Sequence, residues 1–429
     1  MRELKDFAEA EAVLEGYMRA SMELTGKDIT LERMHPIMTA IGNPEKRLRV
    51  IHIAGTSGKT STTYYISSLL AAAGKKVGVT VSPHIDSIAE RIQVNLKPLD
   101  ENTFCKELGE FLDILESKNE VALSYFELLV AFAYWYFDKI GVDYAVIETG
   151  LGGMHDATNV AAEPDKICVI TDIGYDHMQI LGHTLPEIAS QKAGIIHSGS
   201  AAYMYQQDME IMRPVETRAA GVHASLASFS ESSLRKQYAS PALGGLPPFN
   251  QRNWLLARAV YEAVRQRDSL PKLDDALIKQ SLATYIPARM DSVLVDGKTV
   301  VMDGAHNGQK MQAFLEGFKA QYPGVRPAVL LSLKSGKEYD SVVPLLAGIA
   351  DSVIITSFHV SNDMYFTSMD LQQLADSAKQ AGIKNVTVEP DQNAAFNLLL
   401  SQAGKTVVVT GSFYLIAQLR AHHKELRHA

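Results

Sequence analysis

A glycine-rich loop between a predicted strand and a predicted helix constrains this 429-residue chain more than any other stretch. Residues 50–54 form a mostly apolar run, and a helical pattern extends over residues 62–73. Glycines allow backbone N–H groups to approach an anion, and the first turn of a helix adds unpaired donors and partial positive charge. The loop between them consists of Gly55, Thr56, Ser57, Gly58, Lys59, Thr60 and Ser61. This order of strand, loop and helix predicts a phosphate-binding site.

The loop matches only part of the standard P-loop pattern. Gly58, Lys59 and Thr60 meet it, but the first glycine of the pattern falls on Ile53. A Gly-Lys-Thr sequence also occurs in ordinary turns, so the prediction depends on the flanking strand and helix. In that context Lys59 adds a full positive charge, and the hydroxyl of Thr60 or of Ser61 can contact Mg²⁺.

The bulk properties exclude several classes of protein. With 429 residues the chain is long enough for two or three domains. A net charge of -8 gives no basic face for nucleic acid, and no stretch of about 18 apolar residues could span a membrane. Cys105 and Cys168 are too few for a disulfide framework, which favours a reducing compartment. We expect a cytoplasmic globular enzyme that binds neither nucleic acid nor membrane.

Polar residues follow three predicted strands of an α/β pattern. These residues are Ser82, Glu148 and His177, after strands over 77–81, 144–147 and 167–170. Because ligands bind at the carboxyl ends of the strands in a doubly wound sheet, we expect these side chains to lie near the phosphate loop. Glu148 and His177 could then contact a metal on bound phosphates. Taken singly, Glu148 fits a capping or loop carboxylate, and His177 fits a buried histidine satisfied by hydrogen bonds.

The other segments of the first part are mostly helical. Residues 1–48 show helical spacing, and the apolar residues of 125–140 predict a buried helix. Lys192 lies in a helical pattern over 186–195, where by itself it fits a solvated or ion-paired lysine. Residues 198–248 contain short runs of Ser, Ala, Gly and Pro, and we interpret them as small strands and loops.

A composition break near residues 285–295 indicates a domain boundary, which we place after residue 288. Apolar runs separated by helical patterns repeat the α/β rhythm beyond it. The predicted strands lie near 299–302, 327–332, 352–356, 385–388 and 406–410. The predicted fold is an α/β protein: a P-loop domain with a doubly wound, mostly parallel sheet over 1–288, preceded by a helical lead-in, and a smaller Rossmann-like domain over 289–429.

Short motifs occur in a fixed order along nearly the whole chain. They are Gly42–Arg47, the phosphate loop, Ser82-Pro83-His84, Glu90-Arg91-Ile92, Tyr125-Phe126-Glu127, Glu148–Gly153, Asp156-Ala157-Thr158-Asn159, Asp176-His177, Lys192-Ala193-Gly194-Ile195, Asp303–Asn307 and Thr410-Gly411-Ser412. Each motif is modest alone, but the set in this order is highly specific. The chain resembles the folylpolyglutamate synthase/dihydrofolate synthase family of the Mur ligase superfamily.

This resemblance implies an ATP-dependent ligase that phosphorylates a carboxylate of a folate or of dihydropteroate. The acyl phosphate then reacts with the amine of L-glutamate. In this family the first domain binds ATP and the second is the glutamate-ligase domain. The resemblance implies ATP phosphates on Lys59 and the loop, further ATP contacts at Asn253, Arg289, Asp303 and His306, Mg²⁺ contacts at Ser82, Glu148, His177 and Lys192, and substrate contacts at Ser82, His84, Asp156 and Ala157.

The family's matching lysine becomes carbamylated, which implies the same modification of Lys192. An unmodified ammonium would repel Mg²⁺, whereas a carbamate is an anion that can bind it. Only a neutral amine adds CO₂, so the lysine pKa must fall from about 10.4, and burial beside cations lowers it. Because charge gathers between donor and acceptor oxygens in the transition state, metal ions stabilise it. We expect Lys59, Glu148, His177 and Lys192 to be the catalytic residues.

Other functions fit part of these observations. A Mur-type ligase for another carboxylate usually has a nucleotide-sugar domain before the loop, whereas 54 residues precede it here. A P-loop kinase or ATPase accounts for the loop but leaves the second α/β domain without a role. A non-catalytic folate-binding relative could have lost Lys59, Glu148, His177 or Lys192, all of which are present. Folate-glutamate ligation by a monomer is the leading prediction, with the preferred acceptor and the glutamate chain length left open.

Overall fold

The computed structural model describes residues 4–22, 30–117, 123–336, 339–360 and 366–428. The chain forms two compact units. The first consists of Met1–Leu246 and Asn250–Thr284, and the second of Pro247–Phe249 and Tyr285–Ala429. Each contains a mostly parallel sheet with helices, so the predicted α/β fold class is confirmed. None of the helices among the described residues is both long and apolar enough to cross a bilayer.

The first unit starts with two helices and continues as alternating strands and helices. Its elements are α1 (Phe7–Met22), α2 (Met34–Ala40), β1 (Val50–Ala54), α3 (Lys59–Ala72), β2 (Val77–Thr80), β3 (Gln93–Val94), β4 (Lys97–Pro98), α4 (Glu101–Glu116), α5 (Tyr125–Lys139), β5 (Tyr144–Glu148), β6 (Ile167–Ile170), α6 (Met178–Leu181), α7 (Leu185–Ala193), β7 (Ala201–Tyr205), α8 (Met209–Gly221), β8 (Ser225–Phe229), α9 (Glu231–Gln237), α10 (Pro248–Asp268) and α11 (Asp275–Leu282).

The sheet of this unit has the strand order β4-β3-β2-β5-β1-β6-β7-β8. The six strands β2, β5, β1, β6, β7 and β8 are parallel to one another. Strands β3 and β4 add an antiparallel edge beside β2. Every residue of β1 and of β5 is buried, as expected for central strands covered on both faces. The chain crosses from one side of β1 to the other between β5 and β6. The switch point therefore lies at β1, where ligands bind in sheets of this kind.

Helix α5 confirms the buried helix predicted over 125–140. Ser124 caps it by accepting the Glu127 N–H, and the Glu127 carboxylate accepts the Ser124 N–H in return. Phe132 is fully buried, as are Ala10 and Leu14 of α1 in the same core cluster. The apolar periodicity of both helices thus reflects one shared core.

The interpretation of residues 198–248 as small strands and loops is wrong in part. Strands β7 and β8 lie there, but so do helices α8 and α9. Helix α8 contains Pro214, which weakens a helical pattern, and a proline in a helix removes one backbone hydrogen bond. Its buried residues Ile211, Val215 and Ala219 recur every four positions, so the helical signal was present. Burial of that face outweighs the local cost of the proline.

The second unit follows the predicted alternation, with one additional strand in its main sheet and two more in a small separate sheet. Its elements are β9 (Asp291–Val295), β10 (Lys298–Asp303), α12 (Gly308–Gln321), β11 (Ala328–Leu331), α13 (Val343–Ala347), β12 (Ser352–Ile355), β13 (His359–Val360), β14 (Phe366–Thr367), α14 (Leu371–Gln380), β15 (Asn385–Val388), α15 (Gln392–Ser401), β16 (Thr406–Thr410) and α16 (Phe413–His422). The main sheet has the order β15-β12-β11-β16-β10-β9. Strand β9, which we did not predict, pairs antiparallel with β10 at the edge, and the other pairs are parallel.

Candidate active site

The phosphate loop approaches two other segments so closely that its glycines leave no room for side chains. A Cβ on Gly55 would lie 1.8 Å from Thr171 Oγ1, and one on Gly58 would lie 2.4 Å from Asn253 Oδ1. Gly58 also has a φ of +87°, in the left-handed region that favours glycine. It directly precedes α3, which begins at Lys59. The backbone of the loop therefore leads directly into the start of a helix, as an anion site requires.

The start of the loop is bonded to the segment after β6. Asp172 O accepts the N–H groups of Thr56 at 2.8 Å and of Ser57 at 3.1 Å. The Thr56 hydroxyl donates to Gly174 O at 3.0 Å and accepts from Gly174 N at 3.1 Å. These bonds join the phosphate loop to the segment that leads to His177.

Two lysine ammonium groups converge on one carbonyl of the loop. Lys59 Nζ donates to Gly55 O at 3.2 Å, and Lys192 Nζ donates to the same oxygen at 2.9 Å. Lys192 belongs to α7 and is 3% exposed, so it is not the solvated lysine of the alternative interpretation. The two cations create a positive field at the loop, which suits a phosphate.

Glu148 lies at the end of β5 beside the phosphate loop and is buried. Its Oε1 accepts from Thr60 Oγ1 at 2.9 Å, and its Oε2 accepts from Ser82 N at 3.3 Å. The segments after β1 and β2 and the last residue of β5 thus contribute Thr60, Ser82 and Glu148 to one cluster. Ser61, the other hydroxyl considered for Mg²⁺, is 2% exposed within α3. This difference favours Thr60 as the hydroxyl that faces a ligand.

His177 lies on the segment that is bonded to the loop, directly before α6. Its backbone is left-handed, with a φ of +52°, and its N–H donates to Asp176 Oδ1 at 3.0 Å. The ring Nε2 is 3.7 Å from the same carboxylate oxygen, and 42% of the side chain is exposed. His177 is therefore an accessible ring, and the alternative of a buried histidine is wrong.

The segment after β2 is shaped by two buried charged residues. The Glu90 carboxylate accepts the N–H groups of residues 85–87 at 2.9, 2.6 and 3.0 Å, and burial raises its pKa. Arg91 Nε donates to His84 Nδ1 at 3.2 Å, and its guanidinium carbon lies 5.8 Å from the Tyr125 ring centroid. Arg91 thereby orients His84, although only the motif and not this role was recognised in the sequence.

Asp156 and Ala157 adjoin the glycine run of residues 150–153. Asp156 is buried, and its Oδ2 accepts from Leu151 N at 2.6 Å while its Oδ1 accepts from the N–H and the hydroxyl of Thr158. Burial raises the pKa of this carboxyl, although the hydrogen bonds lower it. Ala157 is buried at the start of a short 3-10 helix. Both residues shape the glycine run, and their substrate contacts stay predictions.

The same glycine run lets helix α7 approach the sheet. A Cβ on Gly153 would lie 2.9 Å from Gln191 O and 3.0 Å from Lys192 O. Met154 N donates to Gln191 O at 2.8 Å, and a Cβ on Gly194 would lie 2.4 Å from the Met154 Cβ. Glycine at these positions therefore sets how far Lys192 lies from the phosphate loop.

The second unit holds a separate cluster of predicted nucleotide residues. Asp303 ends β10, and its buried carboxylate accepts from Met290 N and from Ala305 N, each at 2.9 Å. Burial raises the pKa of Asp303 to about 6, although Arg289 and these hydrogen bonds lower it. The backbone beside Arg289 is therefore tied to the end of β10.

Phe413 lies against both Arg289 and His306. The Arg289 guanidinium carbon is 4.0 Å from the Phe413 ring centroid, and the His306 ring is edge-on at 5.6 Å. His306 Nδ1 donates to Gly304 O at 2.8 Å, so its Nε2 accepts from Lys310 Nζ at 3.0 Å. Phe413 and Lys310 were not among the predicted site residues. Gly304 was the available signal, because a Cβ at this position would lie 1.7 Å from the Phe413 ring and only glycine leaves room for it.

Known proteins share this architecture along nearly the whole chain. Residues 53–243 match the Mur ligase middle domain, and residues 288–413 match the Mur ligase glutamate ligase domain. The dihydrofolate synthase/folylpolyglutamate synthase of Bacillus subtilis is 30% identical over 416 residues, which cover 92% of this chain and 95% of that protein. The chain belongs to this family of Mur ligases.

Two further relatives agree with the assignment of this Mur ligase. The dihydrofolate synthetase of Saccharomyces cerevisiae is 28% identical over 428 residues, covering 93% of this chain and 99% of that protein. The structure of Mycobacterium tuberculosis folylpolyglutamate synthase complexed with ADP has a TM-score of 0.81 at 27% identity, covering 97% of this chain and 98% of that one. The resemblance seen in the motifs is confirmed, and the Mur ligase is an ATP-dependent carboxylate-amine ligase.

Proposed function

We propose that this Mur ligase joins L-glutamate to a carboxylate of a folate or of dihydropteroate, driven by ATP. Family membership supports the reaction class. The observation that carries the site is the convergence of Lys59, Lys192 and Glu148 on the phosphate loop. Because relatives of similar identity carry either name, both acceptors are candidates.

In the proposed reaction the loop and the start of α3 bind the ATP phosphates, with Lys59 opposing their charge. A carboxylate oxygen of the acceptor attacks the γ-phosphorus, the bond from that phosphorus to the β-phosphate oxygen breaks, and ADP leaves. The glutamate amine then attacks the acyl carbon, phosphate departs, and the nitrogen loses a proton. Fixed cations and N–H donors stabilise the charge that develops on the transferring group.

The oxygen donors beside the loop fit Mg²⁺. Within the described part of the chain, no group of three or more His, Cys, Asp or Glu side chains could hold a metal ion. Mg²⁺ commonly takes one or two carboxylates and completes its shell with water and substrate phosphates. Glu148 and the Thr60 hydroxyl fit that pattern, and Ser82 and His177 are the further proposed ligands. When bound, the metal would neutralise charge on the ATP phosphates.

We further propose that Lys192 is carbamylated in the active enzyme. The amine nitrogen attacks CO₂, a new N–C bond forms and a proton is released, which leaves an anion. Lys59 and Lys192 share the Gly55 carbonyl as acceptor, so a carbamate would have the Lys59 cation beside it. Such an opposite charge stabilises the carbamate. The modified residue would then join Glu148 as a metal ligand.

The remaining nucleotide contacts are proposed for Asn253 in the first unit and for Arg289, Asp303 and His306 in the second. Arg289 and His306 are already oriented by Phe413, which supports a preformed site. We assign ATP binding to a domain over 1–288 and glutamate ligation to a domain over 289–429.

An ADP-release assay tests the proposed function. Purified enzyme is given ATP, Mg²⁺ and L-glutamate with dihydropteroate or tetrahydrofolate, and mass spectrometry identifies the product. We expect ADP release that requires an acceptor and glutamate, with a product heavier by one glutamyl group. D-Glutamate and L-aspartate are controls for the amine substrate. ADP release without either substrate, or a phosphorylated product, would support a P-loop ATPase or kinase instead.

We also propose a cytoplasmic monomer. Cys105 and Cys168 are buried free thiols, which suits a reducing compartment. Light scattering of the purified protein tests the monomeric state, and a dimer mass would contradict it.

A further inference from the structure

We propose that Arg252 is a positioning residue for the phosphate loop, which it holds through Asp172. Neither residue belongs to the predicted active site. The inference rests on the proposed function only in that the loop must bind a nucleotide. The Arg252–Asp172 pair would keep the N–H donors of the loop in place before the nucleotide binds.

Arg252 is held in one orientation by Asp172 and Tyr205. Its Nε donates to Asp172 Oδ2 at 2.9 Å, and its Nη2 donates to Asp172 Oδ1 at 2.8 Å. The guanidinium carbon lies 3.8 Å from the Tyr205 ring centroid, and the Tyr205 hydroxyl donates to Arg252 O at 2.8 Å. A bidentate hydrogen bond between a guanidinium and a carboxylate fixes their relative orientation as well as their distance. Arg252 therefore restrains the position of Asp172.

Asp172 transmits this restraint to the loop through its backbone. Its carbonyl accepts the N–H groups of both Thr56 and Ser57. Gln207 holds the residues on either side, because its Oε1 accepts from Ile173 N at 2.8 Å and its Nε2 donates to Thr171 O at 3.4 Å. The side chain of Asp172 thus bonds to α10 while its main chain bonds to the loop.

The next residue of α10 contacts the loop at a second point. A Cβ on Gly58 would lie 2.4 Å from Asn253 Oδ1, so this side chain packs directly against the loop backbone. Arg252 and Asn253 therefore hold two successive parts of the loop, Thr56–Ser57 and Gly58. An anion cradle that is ordered in advance loses less entropy when the ligand binds. Loss of the Arg252 side chain should therefore weaken nucleotide binding, although Arg252 acts on the loop only through Asp172.

The same ion network supplies a matched control. Arg252 Nη1 donates to Glu231 Oε2 at 2.6 Å, and Arg235 donates to Glu231 Oε1 at 2.7 Å and to Gln251 Oε1 at 2.8 Å. Both arginines are partly exposed and share Glu231 as a partner. Arg252 bonds to Asp172 in addition. A purely structural role of the network predicts similar effects for both arginines, whereas loop positioning predicts an effect of Arg252 alone.

The experiment compares Arg252→Ala, Arg252→Lys and Arg235→Ala in the full chain. Isothermal titration with a non-hydrolysable ATP analogue and Mg²⁺ gives Kd, steady-state assays give the KM for ATP and kcat, and calorimetry gives Tm. We expect Arg252→Ala to raise Kd and KM about tenfold, equivalent to about 1.4 kcal/mol. Arg252→Lys should recover part of the lost affinity, because lysine keeps the positive charge but cannot make the bidentate hydrogen bond. Arg235→Ala should stay within about twofold of the wild type at a similar change in Tm.

A double-mutant cycle with Asp172→Ala completes the test. If Arg252 acts through Asp172, the double variant binds nucleotide no more weakly than either single variant. Equal Kd values for Arg252→Ala and Arg235→Ala, or additive losses in the cycle, would overturn the positioning role. A wild-type enzyme that binds no nucleotide would instead overturn the proposed function, so the two failures are distinguishable. If Arg252→Ala does not fold, Arg252→Lys carries the same comparison.

Discussion

Two buried lysines of the first unit, Lys192 and Lys166, lie at opposite ends of the sheet and have different partners. Lys192 is 3% exposed and donates to Gly55 O, at the carboxyl ends of the parallel strands. Lys166 is 1% exposed, directly precedes β6, and donates to Ala161 O at 2.7 Å and Asn159 Oδ1 at 3.2 Å. Burial alone therefore does not indicate a reactive lysine. The end of the sheet at which it lies is the more informative property.

Lys166 supports the helix of Lys192 through a buried amide. Asn159 Nδ2 donates to Gly194 O and Met154 O at 3.2 Å each, and its Oδ1 accepts from Lys166 Nζ and from His197 Nε2 at 2.8 Å. Both ends of the amide are therefore hydrogen bonded, as a buried polar group requires. Lys166 thus acts on stability and on the position of α7.

The largest expected effect is the difference in ligation activity between variants of Lys192 and of Lys166. Lys192→Ala should lower ligation by about 1,000-fold or more, because a charged group is lost where charge develops in the transition state. Lys166→Met should keep at least about a tenth of the wild-type kcat, since its partners are structural. Both are measured as kcat for ligation, with bicarbonate or short carboxylic acids added to test partial rescue of Lys192→Ala. Full activity of Lys192→Ala would remove the distinction between the two lysines.

A second experiment compares their surroundings by alkaline titration. Burial lowers the pKa of Lys166 from 10.5 to about 8, with a smaller contribution from Arg218. Because the unfolded chain then binds more protons than the folded one between pH 8 and the unfolded pKa, the Lys166 contribution to stability rises with pH in this window. The total change is about 3 kcal/mol. We expect the difference in Tm between wild type and Lys166→Met to shift in favour of the wild type from pH 8 to 9.5.

The control for that titration is Lys279→Met, which changes an exposed lysine of α11. The difference in Tm between this variant and the wild type should stay constant from pH 8 to 9.5. A flat difference for Lys166→Met across the same range would show that burial does not lower the pKa of Lys166.

The third prediction concerns His197, which lies beside Lys166 and Asn159 and is only partly buried. Burial lowers its pKa from 6.5 to about 4, with a further contribution from Lys166. The folded state therefore favours the neutral ring, and this contribution to stability is lost as the pH falls from 6.5 towards 4. His197→Gln keeps a side-chain N–H donor for Asn159 and does not titrate. Its Tm should rise relative to the wild type on acidification, and a constant difference between pH 7 and 4.5 would contradict the assignment.

The sequence was most informative where the signals are local. An apolar run, a glycine loop and the start of a helix are contiguous in the chain, so the phosphate loop and the ends of β5 and β6 could be predicted from residue order. Helix α8 was missed because Pro214 and its small residues obscure a pattern that packing against α7 makes stable. Strand β9 was missed because one edge strand carries a weak signal.

The long-range contacts of the site could not be predicted in the same way. Arg252 and Asp172 are 80 residues apart, and Lys192 and Gly55 are 137 residues apart. The sequence by itself determined the α/β class, the phosphate loop and the family, because each depends on short contiguous patterns. Only the tertiary structure decided that Lys192 reaches the loop, that Lys166 does not, and that Arg252 holds it through Asp172. The physical reason is that these contacts depend on the strand order β5-β1-β6-β7, which brings distant segments to one edge of the sheet.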